Sequence, residues 1–247
     1  MNLFKIRGIQ LSVHVTFFLL LGYVAWEGWQ EQFARGLIWS LIIVLAFFAC
    51  VVLHELGHSF MARRYGVGVS RILLMPIGGM AEFDSIPREP RKELWITLAG
   101  PAVNFVLAGL LWWPVSRLPE VVYLYSFNGL ILQLFVANLL MGTFNLVPAF
   151  PMDGGRILRA VLATKLTYLR ATKWAAGIGK FMAGVGILVM AFWLHSAMGT
   201  LLFVFIIIAG ETEYRMVVRR EQEDAHWRVA IERLYRMRRD EPPTLPG

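Results

Sequence analysis

Cysteine and charge are both scarce in this sequence. Cys50 is the only cysteine, which excludes an intrachain disulfide and any metal cluster built from several thiolates. Charged residues make up 17% of the chain and hydrophobic residues 57%, whereas a soluble domain has about 25% charged residues. Several apolar runs approach the roughly 20 residues needed to cross the hydrocarbon core of a bilayer. The composition therefore predicts an integral membrane protein.

The chain also lacks a basic surface of the kind that binds nucleic acid, although its net charge is +7. Residues 211–247 contain eight arginines and eight acidic residues, so the excess positive charge lies elsewhere. It lies in short loops before the first apolar run, after the second and after the fourth. This positive-inside asymmetry predicts an even number of spans with both termini in the cytoplasm. We expect no nucleic-acid partner.

We predict an all-α polytopic membrane protein with about six transmembrane helices. Residues 1–214 form the membrane-embedded domain in this interpretation, and residues 215–247 form a charged, helical cytoplasmic tail. No cleavage site follows the first apolar run, so we expect that run to remain as a span. The predicted spans are approximately residues 9–26, 36–62, 94–116, 127–147, 175–194 and 197–214.

The segment "ILLMPIGGMAEF", residues 72–83, does not fit a simple span. It is apolar but short, and "PIGG" breaks any helix. Its β-like flanks predict a small β-hairpin or re-entrant segment after the second span. Backbone at membrane depth is tolerated only where it is buried in protein or lines a cavity.

The strongest chemical signal is His54, Glu55 and His58, which form H-E-x-x-H inside an apolar run. The two histidines lie one turn apart on the same helix face and can bind one zinc ion, while Glu55 can hold a zinc-bound water. Ionisable residues in a span are costly and rarely without function. The side chain of Cys50 is too short to converge with both imidazoles. The alternative is a chance match without metal.

Zinc needs a third protein ligand and an open position for water. Asp153 is the best candidate, since it follows Pro148 and Pro151 and precedes two glycines, where a broken helix frees the side chain to turn inward. Its alternative role is to cap the next helix at its N-terminus.

Three motifs together carry a family resemblance: H-E-L-G-H at 54–58, A-G-P-A-V-N at 99–104 and N-L-V-P-A-F-P-M-D-G-G at 145–155. Over about residues 9–160 the chain resembles the site-2 protease family of intramembrane zinc metalloproteases, in its compact, sporulation-type form. Met152 stands where the family pattern often has leucine. Many relatives carry a PDZ domain or a paired-repeat nucleotide-binding domain, and neither fits into residues 215–247, so we expect neither.

The resemblance implies that His54, His58 and Asp153 hold one zinc ion per chain and that Glu55 is the catalytic acid/base. It further implies that Asn145, and also Asn104, lie near the site and that the hairpin region helps to hold substrate. The expected location is a prokaryotic cell membrane. A strand-like edge in the hairpin could pair with an unwound substrate; the residues of this predicted pairing segment are Ile72, Leu73, Leu74, Met75, Gly78 and Gly79.

Three further polar residues have two interpretations each. His14 lies in the predicted first span and either reaches the catalytic cavity or is a hydrogen-bonded structural residue. Asn104 and Asn145 either bind the substrate backbone or the oxyanion, or bridge packed helices. The place of Asn145 in its motif favours function, and for Asn104 the two roles are equally supported.

The expected activity is hydrolysis of a peptide bond within or near the transmembrane segment of a single-span substrate protein in the lipid bilayer. A regulatory membrane partner is not identified by the sequence. One alternative is a non-enzymatic protein, either a zinc-binding scaffold or a metal transporter, but the spans contain few acids beyond Glu55 and Asp153 to form a transport path. Another is an unrelated membrane peptidase in which a glutamate is the third zinc ligand.

Overall fold

The structure, a computed structural model, describes residues 1–76, 78–84 and 87–240. It divides into two compact units. The first comprises Met1–Pro148 and Met152–Thr164, and the second comprises Ala149–Pro151 and Lys165–Gly247. The elements of the first unit are β1 (Asn2–Ile6), β2 (Ile9–Val13), α1 (Thr16–Arg64), β3 (Val69–Met75), β4 (Gly78–Phe83), α2 (Pro90–Val115), α3 (Phe127–Asn145) and α4 (Asp153–Ala163). The second unit contains α5 (Tyr168–Leu188), a π-helical turn (Val189–Trp193) and α6 (Ala197–Asp240).

Four of the described helical segments are long and apolar enough to cross a membrane. Many of their large apolar side chains are exposed, as expected of surfaces that face lipid. The prediction of a helical integral membrane protein is confirmed, whereas the count of six spans stays a prediction. The four segments are Thr16–Arg64, Pro90–Val115, Phe127–Asn145 and Tyr168–Trp193.

The first of these segments, α1, reverses direction near its middle. Gln32 and Phe33 leave helical geometry, and the φ of Phe33 is +49°. On either side of the break Gly28 and Gly36 touch, because a Cβ added at Gly36 would lie 2.0 Å from the carbonyl oxygen of Gly28. Residues eight apart in a straight helix are about 12 Å apart along the axis. Helix α1 is therefore a hairpin of two apolar arms, residues 16–31 and 34–64.

The strands form one four-stranded sheet in the order β1-β2-β3-β4. Strands β1 and β2 are antiparallel, β2 and β3 are parallel, and β3 and β4 are antiparallel. The predicted hairpin is therefore half of a larger sheet, and the prediction that a span begins at residue 9 is wrong. Ile9, Leu11 and Val13 are buried on the strand β2, and this alternation of apolar residues has the two-residue period of a strand.

Strand β3 is an inner strand, with β2 paired on one side and β4 on the other. Ile72 is opposite Leu11 of β2 and Ala81 of β4, for example. Among the described residues, the outer edge of β4 has no strand partner. Arg71 and Glu82 form an exposed ion pair across the β3–β4 ladder, and the hydrogen bonds from Arg71 lower the pKa of the Glu82 carboxyl.

A buried ion pair joins α2 to α4 within the first unit. The Nε of Arg159 donates to Oε1 of Glu93 at 2.8 Å, and both side chains are almost completely buried. Glu93 lies in the first turn of α2, and Arg159 lies on the same short helix as Asp153. A buried charge is tolerated only when it is paired, so this contact ties the position of α4 to that of α2.

In the second unit, α5 and α6 pack closely and share an ion pair. Lys180 of α5 and Arg215 of α6 both donate to the carboxylate of Glu211. A Cβ at Gly186 would lie 2.5 Å from the ring of Phe203, so the two helices meet at this glycine. Helix α6 continues unbroken through residue 214, where the sequence places the end of the membrane domain. The boundary itself stays a prediction.

We expect Arg159→Met to lower the free energy of unfolding by about 3–5 kcal/mol, because it removes the guanidinium that donates to the buried Glu93 carboxylate. The double variant Glu93→Leu/Arg159→Met removes both charges and should lose less than the single variant. Unfolding of the purified proteins in detergent micelles measures both values. A double variant less stable than Arg159→Met would contradict this account of the pair.

Candidate metal centre

The second arm of α1 carries His54 and His58 one helical turn apart, and both are buried. Their rings are nearly perpendicular, with centroids 4.7 Å apart. The two Nε2 atoms lie 3.1 Å from each other. The helix thus aims both nitrogens at a common point.

Asp153 reaches the same point from α4. It is the first residue of that helix, whose N-cap is Met152 and whose N-terminus has no side-chain cap, so Asp153 does not act as the capping residue. Its Oδ2 lies 3.3 Å from Nε2 of His54 and 3.2 Å from Nε2 of His58. Gly154 permits this placement, because a Cβ there would lie 2.1 Å from the carbonyl oxygen of Val147.

The three atoms have the spacing of ligands around one small cation. In a tetrahedral zinc site with bonds of roughly 2.0–2.1 Å, neighbouring ligand atoms are about 3.3 Å apart. The observed separations are 3.1, 3.2 and 3.3 Å. Nitrogen and carboxylate oxygen are also the donor types that zinc prefers. The residues present therefore fit a zinc ion.

Hydrogen bonding at the far side of His58 supports the same conclusion. Its Nδ1 lies 2.8 Å from the main-chain carbonyl of Ile96, which can only accept, so Nδ1 donates. In a neutral imidazole Nε2 then carries a lone pair. Oδ2 of Asp153 is buried and has no conventional hydrogen-bond partner in the part of the chain that the structure describes, although two imidazole nitrogens lie within 3.3 Å of it. These nitrogen and oxygen lone pairs cannot bond to one another. A cation between the three atoms explains their close approach, because each lone pair can bind it.

Two glycines bring α2 against α1 at this centre. A Cβ at Gly57 would lie 2.6 Å from the carbonyl oxygen of Ala99, and one at Gly100 would lie 2.2 Å from Nε2 of His58. Gly100 belongs to the A-G-P-A-V-N motif, for which the sequence alone provided no physical reason. Within this motif, Gly100 leaves no side chain between the backbone of α2 and the imidazoles.

Glu55 points to a different neighbour, the strand β4. It is half-buried, and a Cβ at Gly79 would lie 2.7 Å from its Cγ and 3.4 Å from its Cδ. The carboxylate arm of Glu55 thus lies beside the outer strand of the sheet. Gly79 is needed there because any side chain would displace Glu55.

The other predicted site residues lie in different settings. Asn145 ends α3, is half-buried and forms no side-chain hydrogen bond with the described residues. His14 lies before α1 at the end of β2, is exposed and has Nδ1 2.8 Å from Oγ1 of Thr16, so it is not inside a span. Ile72, Leu73 and Leu74 lie in the inner strand β3 and pair with β2 on one side and β4 on the other, so neither edge is open to a substrate there. Met75 is the last residue of β3 and pairs with Gly78 of β4.

Sequence reasoning missed one polar residue close to this centre and assigned another only in part. Asn104 is completely buried, and its Oδ1 lies 2.5 Å from Nδ1 of His54. Asn138, also completely buried, accepts a hydrogen bond from Nδ2 of Asn104. An asparagine within an apolar span is costly, and that cost was the available signal for Asn138.

Comparison with known proteins gives a consistent set of relatives. The model of "Peptidase family M50" matches residues 42–129 and 122–186. A zinc metalloprotease of Methanocaldococcus jannaschii is 43% identical over 220 residues, which are 87% of this chain and 61% of that protein. Stage IV sporulation protein FB of Bacillus subtilis is 26% identical over 96% of this chain and 76% of its own length.

A solved structure is also similar. The site-2 protease from Methanocaldococcus jannaschii matches with a TM-score of 0.62 and 40% identity, over 87% of this chain and 94% of that one. A putative zinc metalloprotease of Synechocystis is 36% identical over 63% of this chain. This chain spans only 61% and 42% of the lengths of the Methanocaldococcus and Synechocystis metalloproteases.

We expect Gly100→Ala to weaken zinc binding, because the added methyl group would lie 2.2 Å from Nε2 of His58 and 2.8 Å from Cε1 of His54. Gly109→Ala is the matched control, since it lies on the same helix and its Cβ would meet no atom within 4 Å. Chelator competition with the purified proteins measures both affinities. Equal zinc affinity of the two variants would show that α2 does not press on the histidines.

Proposed function

Because the chain belongs to peptidase family M50, the family of the site-2 proteases, we propose that it is an intramembrane zinc metalloprotease. Its reaction is hydrolysis of a peptide bond within or near the transmembrane segment of a membrane-protein substrate. The observation that carries this proposal is the convergence of His54, His58 and Asp153 within 3.3 Å of one another, with Glu55 on the turn between the two histidines.

His54, His58 and Asp153 would hold the zinc ion, and Glu55 would move the proton. Bound zinc would lower the pKa of a water toward 7 and would polarise a carbonyl group. Glu55 would act as the general base that takes a proton from the attacking water, and later as the general acid that donates it to the leaving amine. Its half-buried position suits this role, because it is one residue from His54 yet projects toward β4 rather than into the cluster.

The outer edge of β4, which no described strand covers, is the best place for the substrate backbone. A transmembrane helix hides its carbonyls in internal hydrogen bonds, so it must unwind locally before hydrolysis. An unwound segment can add as a strand to an exposed sheet edge. The outer strand β4 contacts Glu55 at Gly79, so a strand paired there would run beside the catalytic carboxylate. This assigns pairing to Gly78–Phe83 rather than to Ile72 or its neighbours on β3.

Asn145 is proposed to bind the substrate or the developing oxyanion. The side-chain amide of Asn145 forms no hydrogen bond with the described residues, whereas that of Asn104 does. Asn145 is also the last residue of α3, the helix that precedes the segment leading to Asp153. An amide N–H that is free in the resting enzyme is available to stabilise negative charge in the transition state.

The orientation proposed from the loop charges puts both termini in the cytoplasm. His58 then lies near the cytoplasmic end of its span, five residues before Arg63. Zinc and water would have only a short distance to travel from the cytoplasm, which is important because an apolar bilayer admits neither. The proposed location is the cell membrane of a prokaryote.

Glu55→Gln should retain zinc and lose at least about 100-fold in cleavage rate, since the amide cannot accept the proton of water. Asp153→Ala should lose both zinc and cleavage. Zinc content and the membrane proteomes of cells carrying each variant are the measurements, and a membrane protein cut by the wild type should accumulate uncleaved. Undiminished turnover by Glu55→Gln would contradict the proposed role, and an unchanged proteome would favour the scaffold or transporter.

Strand pairing with β4 makes a separate prediction. A cysteine at Met80, an exposed residue of β4, should form disulfides with cysteines placed at every second position of the substrate segment, because alternate residues share one face of a strand. The control is Phe4→Cys on β1, the opposite edge of the sheet, and native Cys50 stays in place because it is buried. Cross-links with a three- to four-residue period would instead indicate a helical substrate.

A further inference from the structure

We propose that Asn104 and Asn138 form a relay that holds His54 in the tautomer with its proton on Nδ1. The relay runs from a main-chain carbonyl of α3, through two buried carboxamides, to the far side of the imidazole. Neither asparagine lies among the proposed zinc ligands. Both are positioning residues, acting through His54.

The polarity of the relay follows from its starting point. Nδ2 of Asn138 donates to the carbonyl oxygen of Leu134 at 2.8 Å, and that oxygen can only accept. Oδ1 of Asn138 must therefore face Asn104, where it accepts from Nδ2 at 2.9 Å. Oδ1 of Asn104 is left facing Nδ1 of His54 at 2.5 Å. Since this oxygen accepts, Nδ1 of His54 must donate.

Burial makes this order difficult to reverse. Asn104 and Asn138 are both 0% exposed, so no solvent can satisfy a flipped amide. A flip of Asn138 would set its oxygen against the carbonyl of Leu134, and it would also break the contact of Nδ2 with Sγ of Cys50 at 3.3 Å. A buried polar group that loses its partner costs about 1–3 kcal/mol. The main chain of α3 thus determines which ring nitrogen of His54 carries the proton.

The same tautomer is set directly at His58, whose Nδ1 donates to the carbonyl of Ile96. Both histidines therefore direct an Nε2 lone pair toward Asp153. His58 is held by the carbonyl of Ile96, and His54 is held by the carbonyl of Leu134 through the amides of Asn138 and Asn104. Partners of this kind orient a metal-binding imidazole and raise its basicity, and removing one costs about 10- to 100-fold in metal affinity. The expected loss of zinc affinity rests on the proposed function, whereas the assignment of the His54 tautomer does not depend on it.

The test uses ¹⁵N-histidine-labelled, metal-free protein in detergent micelles. Long-range ¹H–¹⁵N correlation should show Nδ1–H for both His54 and His58 in the wild type. In Asn104→Leu and in Asn138→Leu, which keep the side-chain volume similar, His54 should become a mixture of tautomers while His58 stays unchanged. Zinc affinity by chelator competition should fall about 10- to 100-fold in both variants.

Ser59→Ala is the matched control, because Ser59 is completely buried on α1 beside His58, yet its Oγ has no hydrogen-bond partner among residues 1–76, 78–84 and 87–240. It should leave the tautomers and the zinc affinity unchanged. A pure Nδ1–H form of His54 in Asn138→Leu would overturn the relay. So would a simultaneous change at His58, since that would indicate general loss of structure. A wild type that shows the stated tautomers but does not bind added zinc would refute the proposed function and leave the relay intact.

Discussion

Nε2 of His54, Nε2 of His58 and Oδ2 of Asp153 lie within 3.3 Å of one another in largely apolar surroundings. The packing of the first unit depends on holding these three atoms together. Such a cluster is unstable unless a cation lies within it and unless the surrounding groups hold each ligand in place. Helix α2 does most of this holding. It supplies the carbonyl of Ile96 to His58 and the amide of Asn104 to His54, and Gly57 and Gly100 allow it to approach closely enough to do so.

Asp153, the third residue of the cluster, depends on the same helix in another way. Asp153 belongs to α4, a helix of only 11 residues that would be marginal by itself. The buried pair of Glu93 and Arg159 connects α4 to the start of α2. Helix α2 thus contacts both histidines directly and is connected to Asp153 through α4. A shift of α2 would therefore displace all three residues.

The sheet meets a different requirement of the proposed function, which is a strand edge that can pair with a substrate backbone. Strands β2 and β3 run parallel, and the connection between them is the entire helical hairpin α1, which carries Glu55 and both histidines. This topology places the arm that carries Glu55 against the sheet it connects. Strand β4 then extends the sheet by one strand, and its Gly79 lies next to Glu55. Among the described residues, the outer edge of β4 has no strand partner.

The sequence by itself determined the membrane character, the zinc-binding spacing of His54 and His58, and the candidacy of Asp153, because these depend on composition and on contacts within one helical turn or one short motif. It also predicted a hairpin after the second span, since Pro and Gly at 76–79 exclude a helix. The apolar pattern of residues 9–26 led to a wrong prediction at residues 9–13. These residues form a strand that directly precedes an apolar helix, and the pattern predicts a single span over both.

Only the tertiary structure decided which strand edge is free, which asparagines meet His54, and why the glycine of A-G-P-A-V-N is required. The physical reason is that each of these is a property of two or more elements far apart in the chain. Asn138 is 34 residues from Asn104 and 88 from Cys50, yet it contacts both. Hydrophobic periodicity indicates which face of a helix is buried, but it does not specify which neighbour that face will meet.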